Sequence, residues 1–314
     1  MSDEFGNVVD ASGRHAASPG LDHPWFSSSS VASRPPLMLP NGAAIALSVL
    51  IDLTAVEWEQ PNQPAIVPPP GGRGTQAYPD VPRMSHREYG HRTGVFRLLE
   101  AAEDLNIRPA VIIDVLTVEQ YAPLLEHLDG RVAEYLAGGL SASRAITSRM
   151  SIEEERHYIG STLDRLEGGL GVRLPGWVSP QRSESTRTPR LLAEAGVRYV
   201  GDWGNDEQPY PFEGEASGVW SFPLSWELSD ESAMFLRKVS PSSYARALTD
   251  AHTVMKADGA SSARVLGLHL HPWLTGQPFR INAVSRALER IVADDGTWLA
   301  NPGEVVDWCT SSAV

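Results

Sequence analysis

Apolar runs and amphipathic segments alternate along most of the chain. The stretch 43–53, AAIALSVLIDL, is almost entirely apolar, which is typical of a parallel strand buried on both faces. Apolar residues then recur at helical spacing within 86–107, and the apolar segment 108–115 predicts a second strand. This order predicts a strand, a helix and a strand, the unit from which parallel sheets are built.

The same unit repeats to the end of the chain. Ser151 and Glu154 have the spacing of a capping box and predict a helix start, and a β-rich stretch surrounds 218–228. So many units predict a closed barrel or a doubly wound open sheet, whose functional groups gather at the carboxyl ends of the strands. The predicted helices are 117–128, 151–168, 187–195, 241–257, 282–294 and 303–310, and the predicted strands are 131–139, 176–180, 197–203, 263–272 and 297–300.

Two segments depart from this alternation. Residues 1–36 are polar and rich in Ser, Pro and Gly, which predicts an N-terminal arm before a single domain over 37–314. Residues 60–83 form a Pro/Gly-rich loop, and a loop of this length predicts a cover over the barrel mouth or a contact with a neighbouring subunit.

Composition narrows the functional classes. The chain has 314 residues and a formal net charge of -13, with only 26 Lys and Arg, which argues against a nucleic-acid surface. The single cysteine, Cys309, excludes an intrachain disulfide, and neither a signal peptide nor a membrane span is expected. We therefore expect a cytoplasmic protein that acts on a small molecule and forms a homo-oligomer.

Two histidines lie at the end of an apolar run. His269 and His271 are two residues apart in VLGLHLHP and so project from the same face of a strand, which Pro272 ends. An imidazole at the strand end can exchange protons near neutral pH, so His271 is the candidate acid/base and His269 its orienter. The alternative is that both are hydrogen-bonded structural residues.

Other candidates lie at further strand ends. Asp52 and Glu57 follow the first strand, and Glu184 and Arg187 open a helix whose N–H groups could hold a carboxylate or polarised carbonyl, or could simply cap the helix. Several of the nine tryptophans also lie there, where they could hold a flat ring or pack in the core. The tryptophans proposed to contact substrate are Trp58, Trp203 and Trp273.

Three segments carry a resemblance to a known family. YPDVPRMSHREYGHRTGVFRLLE, GWVSPQRSESTRTPRLLAEAGVRYVGDWGNDEQPYPF and VLGLHLHPWLTGQPFRI together resemble the allantoinase-like branch of the polysaccharide deacetylase superfamily over about 35–310. The resemblance implies a distorted (β/α)7 barrel that hydrolyses C–N bonds of acylated amino sugars or of cyclic amides and ureides. It also matches His271 to the family's histidine before a proline, and sets Asp202 near the carboxylate that supports a histidine.

The metal ligands of that family are missing. Metal-dependent members use a paired Asp after strand one and a His-x-x-x-His after strand three. Here Leu53 or Ala55 takes the second Asp position, and Gly138 and Ala142 take the two histidine positions. None of these side chains ligates a metal, so neither a metal nor another cofactor is expected. A metal held by the two histidines with Asp202 or Glu57 is the weaker alternative.

The sequence thus predicts a metal-independent hydrolase of a cyclic amide, imide or ureide, with His271, His269, Asp202 and Asp52 as catalytic residues. Two alternatives stay open. The same residues could instead catalyse a reaction other than C–N hydrolysis on a planar molecule, such as lactone opening, cyclisation or dehydration. The barrel could also bind a small molecule without catalysis, although retention of two imidazoles at a strand end argues against that reading.

Overall fold

A computed structural model describes residues 23–58 and 79–312 of the chain. Within these residues, nine strands form one sheet, in the order β6-β7-β5-β4-β3-β2-β1-β8, with β9 also paired to β1. Eight of them run parallel, whereas β6 is antiparallel to β7. The strands are β1 Ile45–Leu53, β2 Ala110–Ile113, β3 Glu134–Ala137, β4 Gly176–Trp177, β5 Tyr199–Val200, β6 Tyr210–Pro211, β7 Trp220–Ser221, β8 Arg264–Leu270 and β9 Thr297–Leu299.

A parallel bridge closes the ring of strands. Leu224, just after β7, pairs with Gly267 in the middle of β8, and β8 pairs with β1 along almost its whole length. Seven of the parallel strands therefore form the predicted distorted (β/α)7 barrel, with β6 and β9 added outside the ring.

Helices cover the outer face of the barrel. The capping box predicted at Ser151 is present, because its side chain accepts from the Glu154 N–H and the Glu154 side chain accepts from the Ser151 N–H. The helices are α1 Val81–Tyr89, α2 Val95–Glu103, α3 Val115–Gln120, α4 Ala122–Leu128, α5 Ile152–Leu170, α6 Thr188–Glu194, α7 Pro241–Gly259, α8 Ile281–Val292 and α9 Pro302–Ser312. None of the described helices has the length and apolar character needed to span a membrane.

Two of the predicted helices are interrupted in the structure. The helix predicted over 117–128 is split into α3 and α4, because Tyr121 leaves the helical conformation just before Pro123. The helix predicted within 86–107 contains a π turn at Gly90–Gly94. A Cβ at Gly94 would lie 2.1 Å from the Pro272 carbonyl oxygen, so glycine lets this turn pack directly on the segment after β8.

Two apolar clusters separate the inside of the barrel from its outside. Val49, Ile51 and Leu53 of β1 pack with the helices, whereas Ala46 and Leu50 belong to the inner cluster. Because side chains alternate along a strand, Asp52 follows the inner set and projects into the barrel at its carboxyl end. His269 lies opposite Leu50 in the pairing of β8 with β1, which brings the two strand ends together.

Part of the predicted N-terminal arm packs on the barrel. Trp25 is buried, the Phe26 ring lies 5.5 Å from that of Trp203, and Arg34 forms an ion pair of 2.6 Å with Asp206. The earlier part of the arm, and the predicted covering loop up to residue 78, lie outside the described residues. The last residues of that loop segment begin α1, where Asp80 accepts a hydrogen bond from the Arg83 N–H.

Candidate active site

Asp52 lies between the two imidazoles at the carboxyl end of the barrel. Its Oδ2 is 2.9 Å from His269 Nε2 and 3.6 Å from His271 Nε2, and its Oδ1 accepts hydrogen bonds from the Thr54 N–H and hydroxyl. Burial alone would raise the pKa of Asp52, but the hydrogen bond from His269 and the nearby His271 hold it far below the usual range. Asp52 is therefore ionised at any working pH.

His271 is anchored by a fully buried carboxylate. Its Nδ1 lies 2.6 Å from Asp230 Oδ1, its backbone N–H donates to Asp230 Oδ2 at 2.9 Å, and the Thr275 hydroxyl donates to the same oxygen. Asp230 only accepts, so Nδ1 carries a proton and Nε2 is the nitrogen that faces Asp52. Burial lowers the pKa of His271, but the carboxylates of Asp230, Asp52 and Glu231 outweigh it and raise the pKa to about 9. His271 is an imidazolium at neutral pH.

A second acidic group faces the same nitrogen. Glu231 Oε2 lies 3.8 Å from His271 Nε2, and its Oε1 accepts from Arg87 Nη2 at 2.5 Å. The Arg87 guanidinium is stacked 4.3 Å from the centre of the buried Trp273 ring. Burial opposes ionisation of Glu231, but His271 and Arg87 together lower its pKa.

His269 is held between Asp52 and a buried arginine. Arg182 Nη2 is 3.2 Å from His269 Nδ1, and Arg182 Nη1 donates to the Leu224 carbonyl at 2.8 Å. A guanidinium can only donate, so Nδ1 of His269 is the acceptor and its proton is on Nε2, where it is donated to Asp52. Burial and the positive charge of His271 lower the pKa of His269, which is therefore neutral.

Two buried carboxyl groups position the turn that carries Arg182. Asp202 accepts the Ser179 N–H at 2.8 Å, and Glu184 accepts the Trp203 ring N–H at 3.1 Å. Burial raises the pKa of both carboxyl groups, and the nearby Asp202 raises that of Glu184 further, well above its usual range. Through their contacts with Ser179 and Trp203, the two groups form a carboxyl clamp on the turn that carries Arg182.

Asp114 ties together the loops at three strand ends. Its Oδ1 accepts the Thr117 N–H and caps α3, while its Oδ2 accepts the N–H groups of Ala55 and Ala142. Burial raises the pKa of Asp114 to about 8 although these N–H groups oppose the rise. Its contacts fix the loops after β1 and β3 against each other.

The imidazoles open into a cavity of about 500 Å³. Polar groups, among them Asp52, Arg87 and Arg182, line its floor together with His269 and His271. Aromatic and apolar side chains line the rest, and half of the Trp226 surface is exposed. A site of this size and mixture of groups suits a small polar molecule with a flat part.

The structure brings together three of the sequence-predicted catalytic residues, namely Asp52, His269 and His271. Asp202, expected to support a histidine, contacts the Ser179 backbone and Glu184 instead. The carboxylate that orients His271 is Asp230, which sequence reasoning missed because it follows a stretch without clear periodicity. The acidic pair Asp230 and Glu231, in the segment LSDES at 228–232, is the sequence feature that points to this carboxylate.

The residues predicted to bind substrate are placed mainly around the site. Arg187 pairs with Glu155, which is completely buried and also accepts from the Ser185 and Thr188 hydroxyls. Glu57 accepts from Arg144 at 2.7 Å, and Trp58 is nearly half exposed next to it. Neither these residues nor Glu184, Trp203 and Trp273 are among the described residues that line the cavity.

The residues that the resemblance sets at the family's metal positions offer no ligand atom from their side chains. Leu53 packs in the outer cluster, away from the barrel interior. A Cβ at Gly138 would lie 2.7 Å from Thr54 Cγ2, so no histidine fits there without a shift, and Ala142 offers only its backbone. Within the described part of the chain, one other group has suitable spacing: Asp52, His269 and His271 offer ligand atoms within 4.8 Å of one another.

Comparisons with solved structures identify the fold. The crystal structure of Puue allantoinase matches with a TM-score of 0.78 and 21% identity, over 89% of this chain and 95% of that one. A polysaccharide deacetylase-type protein of Pseudomonas aeruginosa PAO1 matches with a TM-score of 0.77 and 21% identity, over 88% and 95%. A polysaccharide deacetylase-type protein of Mycobacterium smegmatis matches with a TM-score of 0.74 and 21% identity, over 90% of this chain and 95% of that one. No family model and no curated protein matches the sequence. The chain thus has the polysaccharide deacetylase-type barrel fold.

Proposed function

We propose that the protein hydrolyses a C–N bond of a small cyclic amide, imide or ureide, with His271 as the general acid and without a metal ion. The observation that carries this proposal is the Asp230–His271 pair, whose free Nε2–H faces the cavity beside an ionised Asp52. An oriented imidazolium next to a carboxylate is the acid and base pair that amide hydrolysis needs. The likeness in fold to an allantoinase and to deacetylases supports the class of bond.

The proton movements follow from which atoms are free. Both ring nitrogens of His269 are engaged, so Asp52 is the group that accepts the proton of the attacking water. The positive charge of His271 is one cause of the low pKa of Asp52, so Asp52 becomes more basic as His271 transfers its proton to the leaving nitrogen. His271 Nε2 gives its proton to the leaving nitrogen as the C–N bond breaks. The proton on Asp52 then returns over the 3.6 Å gap to His271 Nε2, which restores the starting state.

Arg182 is the cation that stabilises the oxyanion in this proposal. Its guanidinium lines the cavity beside His269, and the low accessibility of the site strengthens its interaction with a developing negative charge. A strained ring is a better substrate than an N-acetyl group here, because a fixed guanidinium polarises a carbonyl less than a metal ion does.

A panel of cyclic imides, hydantoins, lactones and N-acetyl amino sugars, assayed with a chelator, tests the proposal. We expect turnover of at least one cyclic amide, imide or ureide at a rate that the chelator does not change. Turnover of lactones alone would favour a reaction other than C–N hydrolysis, and binding without turnover would favour a silent barrel. Activity that is lost with chelator and restored by zinc would contradict the metal-free mechanism.

A further inference from the structure

The group formed by Asp52, His269 and His271 has almost everything that a zinc site requires. The Asp52 oxygen lies 2.9 and 3.6 Å from the two imidazole nitrogens, and ligand atoms around a tetrahedral zinc ion are about 3.3 Å apart. Asp230 holds the proton on the far nitrogen of His271, as carboxylates behind metal-bound histidines commonly do, so a metal ion would have to displace only the Nε2 proton of this residue.

Arg182 prevents His269 from acting as one of these ligands. A histidine that binds a metal through Nε2 needs its lone pair on that nitrogen and its proton on Nδ1. The guanidinium of Arg182 points a donor at Nδ1 of His269 from 3.2 Å, which puts the proton on Nε2 instead. In this tautomer His269 Nε2 has no lone pair to offer.

The turn that places Arg182 beside His269 has a strained backbone. Gln181 and Arg182 both have positive φ, at 59° and 51°, although neither is a glycine. Residues with side chains disfavour this conformation, because their Cβ comes too close to the following carbonyl oxygen. The turn that carries them is held by the carboxyl clamp at Ser179 and by the Arg182 hydrogen bond to Leu224.

We propose that Arg182 excludes transition metals from the Asp52, His269 and His271 group by fixing the tautomer of His269, and that its removal opens a metal site there. Arg182 is thus the residue that decides whether this barrel end holds an ion or a guanidinium. The inference rests on the proposed function only for the location of the site, and metal binding is measured without substrate. A failure of one is therefore distinguishable from a failure of the other.

Cobalt binding by the full-length protein tests the inference. We expect no stoichiometric Co²⁺ on the wild type in equilibrium dialysis. We expect one equivalent on Arg182→Met, with the visible absorption of a four-coordinate ion, and none on the double variant Arg182→Met/His269→Asn. Arg87→Met removes another cation of the same cavity that does not touch His269, so it should also bind none.

Three results would overturn the inference. They are stoichiometric Co²⁺ on the wild type that is lost with His269→Asn, a folded Arg182→Met that binds none, and equal binding by Arg87→Met, which would mean that charge and not the tautomer excludes the ion. If Arg182→Met does not fold, nitrogen NMR of wild-type protein with ¹⁵N-labelled histidine decides. A proton on Nε2 of His269 supports the inference, and a proton on Nδ1 contradicts it.

Discussion

His271 Nδ1 lies 2.6 Å from Asp230 Oδ1, and the backbone N–H of the same histidine donates to the other oxygen of that carboxylate. This two-point contact fixes the orientation of the ring and leaves Nε2 as the only nitrogen that can act in the cavity. It also makes His271 a cation at neutral pH, because its pKa is raised to about 9.

The Asp230 contact predicts the alkaline limit of activity. His271 must be protonated to act as an acid, so the rate should fall as the pH rises through about 9 in the wild type. Asp230→Asn removes the charge that favours the imidazolium. The alkaline limb of the pH profile, where the rate falls, should therefore move to lower pH by one unit or more. The measurement is a pH profile of kcat on a panel substrate.

Asp202→Asn is the matched control, because Asp202 is also a buried carboxyl group but contacts neither imidazole. Its profile should keep the wild-type alkaline limb. Equal shifts in the two variants would show that the loss of any buried carboxyl group, and not the contact with His271, moves the limb.

The same pKa predicts a dependence of stability on pH. The pKa of His271 is higher in the folded state than its usual 6.5, so its stabilising contribution is complete below about pH 6.5 and is lost as the pH rises through 9. A shift of this size corresponds to about 3 kcal/mol at most. Denaturant unfolding of wild type and His271→Asn should therefore give a stability difference that shrinks between pH 6.5 and 9. A difference that stays constant over that window would refute the raised pKa.

Arg187 should matter for stability and not for substrate binding. Its guanidinium pairs with the completely buried Glu155, and removal of one partner of a buried pair costs about 3 kcal/mol. Arg187→Met should lower the free energy of unfolding by roughly this amount while KM stays within about twofold. Arg156→Met, which breaks an exposed pair with Glu194, is the control and should change stability by less than about 1 kcal/mol. A raised KM with unchanged stability would return Arg187 to the substrate site.

Gly138 should tolerate no side chain. A Cβ there would lie 2.7 Å from Thr54 Cγ2, so Gly138→Ala should destabilise the fold by about 1–3 kcal/mol. Gly168, within α5, has no heavy atom within 4 Å of an added Cβ, so Gly168→Ala should be neutral or stabilising by up to about 1 kcal/mol. Thermal unfolding of both variants checks this, and an unchanged melting temperature for Gly138→Ala would mean that the missing metal ligand there has no steric cause.

Functional groups of parallel sheets gather at the carboxyl ends of the strands, and this explains what the sequence could predict about the site. Asp52, His269 and His271 lie at the ends of two long apolar strands, so periodicity and Pro272 were enough to bring them together. Asp230 directly precedes a π turn at Glu231–Leu236, and Arg182 lies in a turn with positive φ; no apolar periodicity marks either segment. Arg187 was misleading because its partner, Glu155, is buried by tertiary packing from another helix.

Four of the expectations from the sequence stay predictions. They are the arm 1–36 as a separate unit, the cover formed by 60–83, the homo-oligomer and the cytoplasmic location.

The turnover of His271→Asn, compared with wild type and His269→Asn, tests the central claim most directly. It is measured with chelator at pH 7.5 on the cyclic substrate that the panel identifies, after circular dichroism has shown that each variant is folded. Asn keeps a donor but cannot be an acid, so we predict a loss in kcat of about 10² or more for His271→Asn and a smaller loss for His269→Asn. Equal turnover by wild type and His271→Asn would contradict the account and leave the two histidines as structural residues.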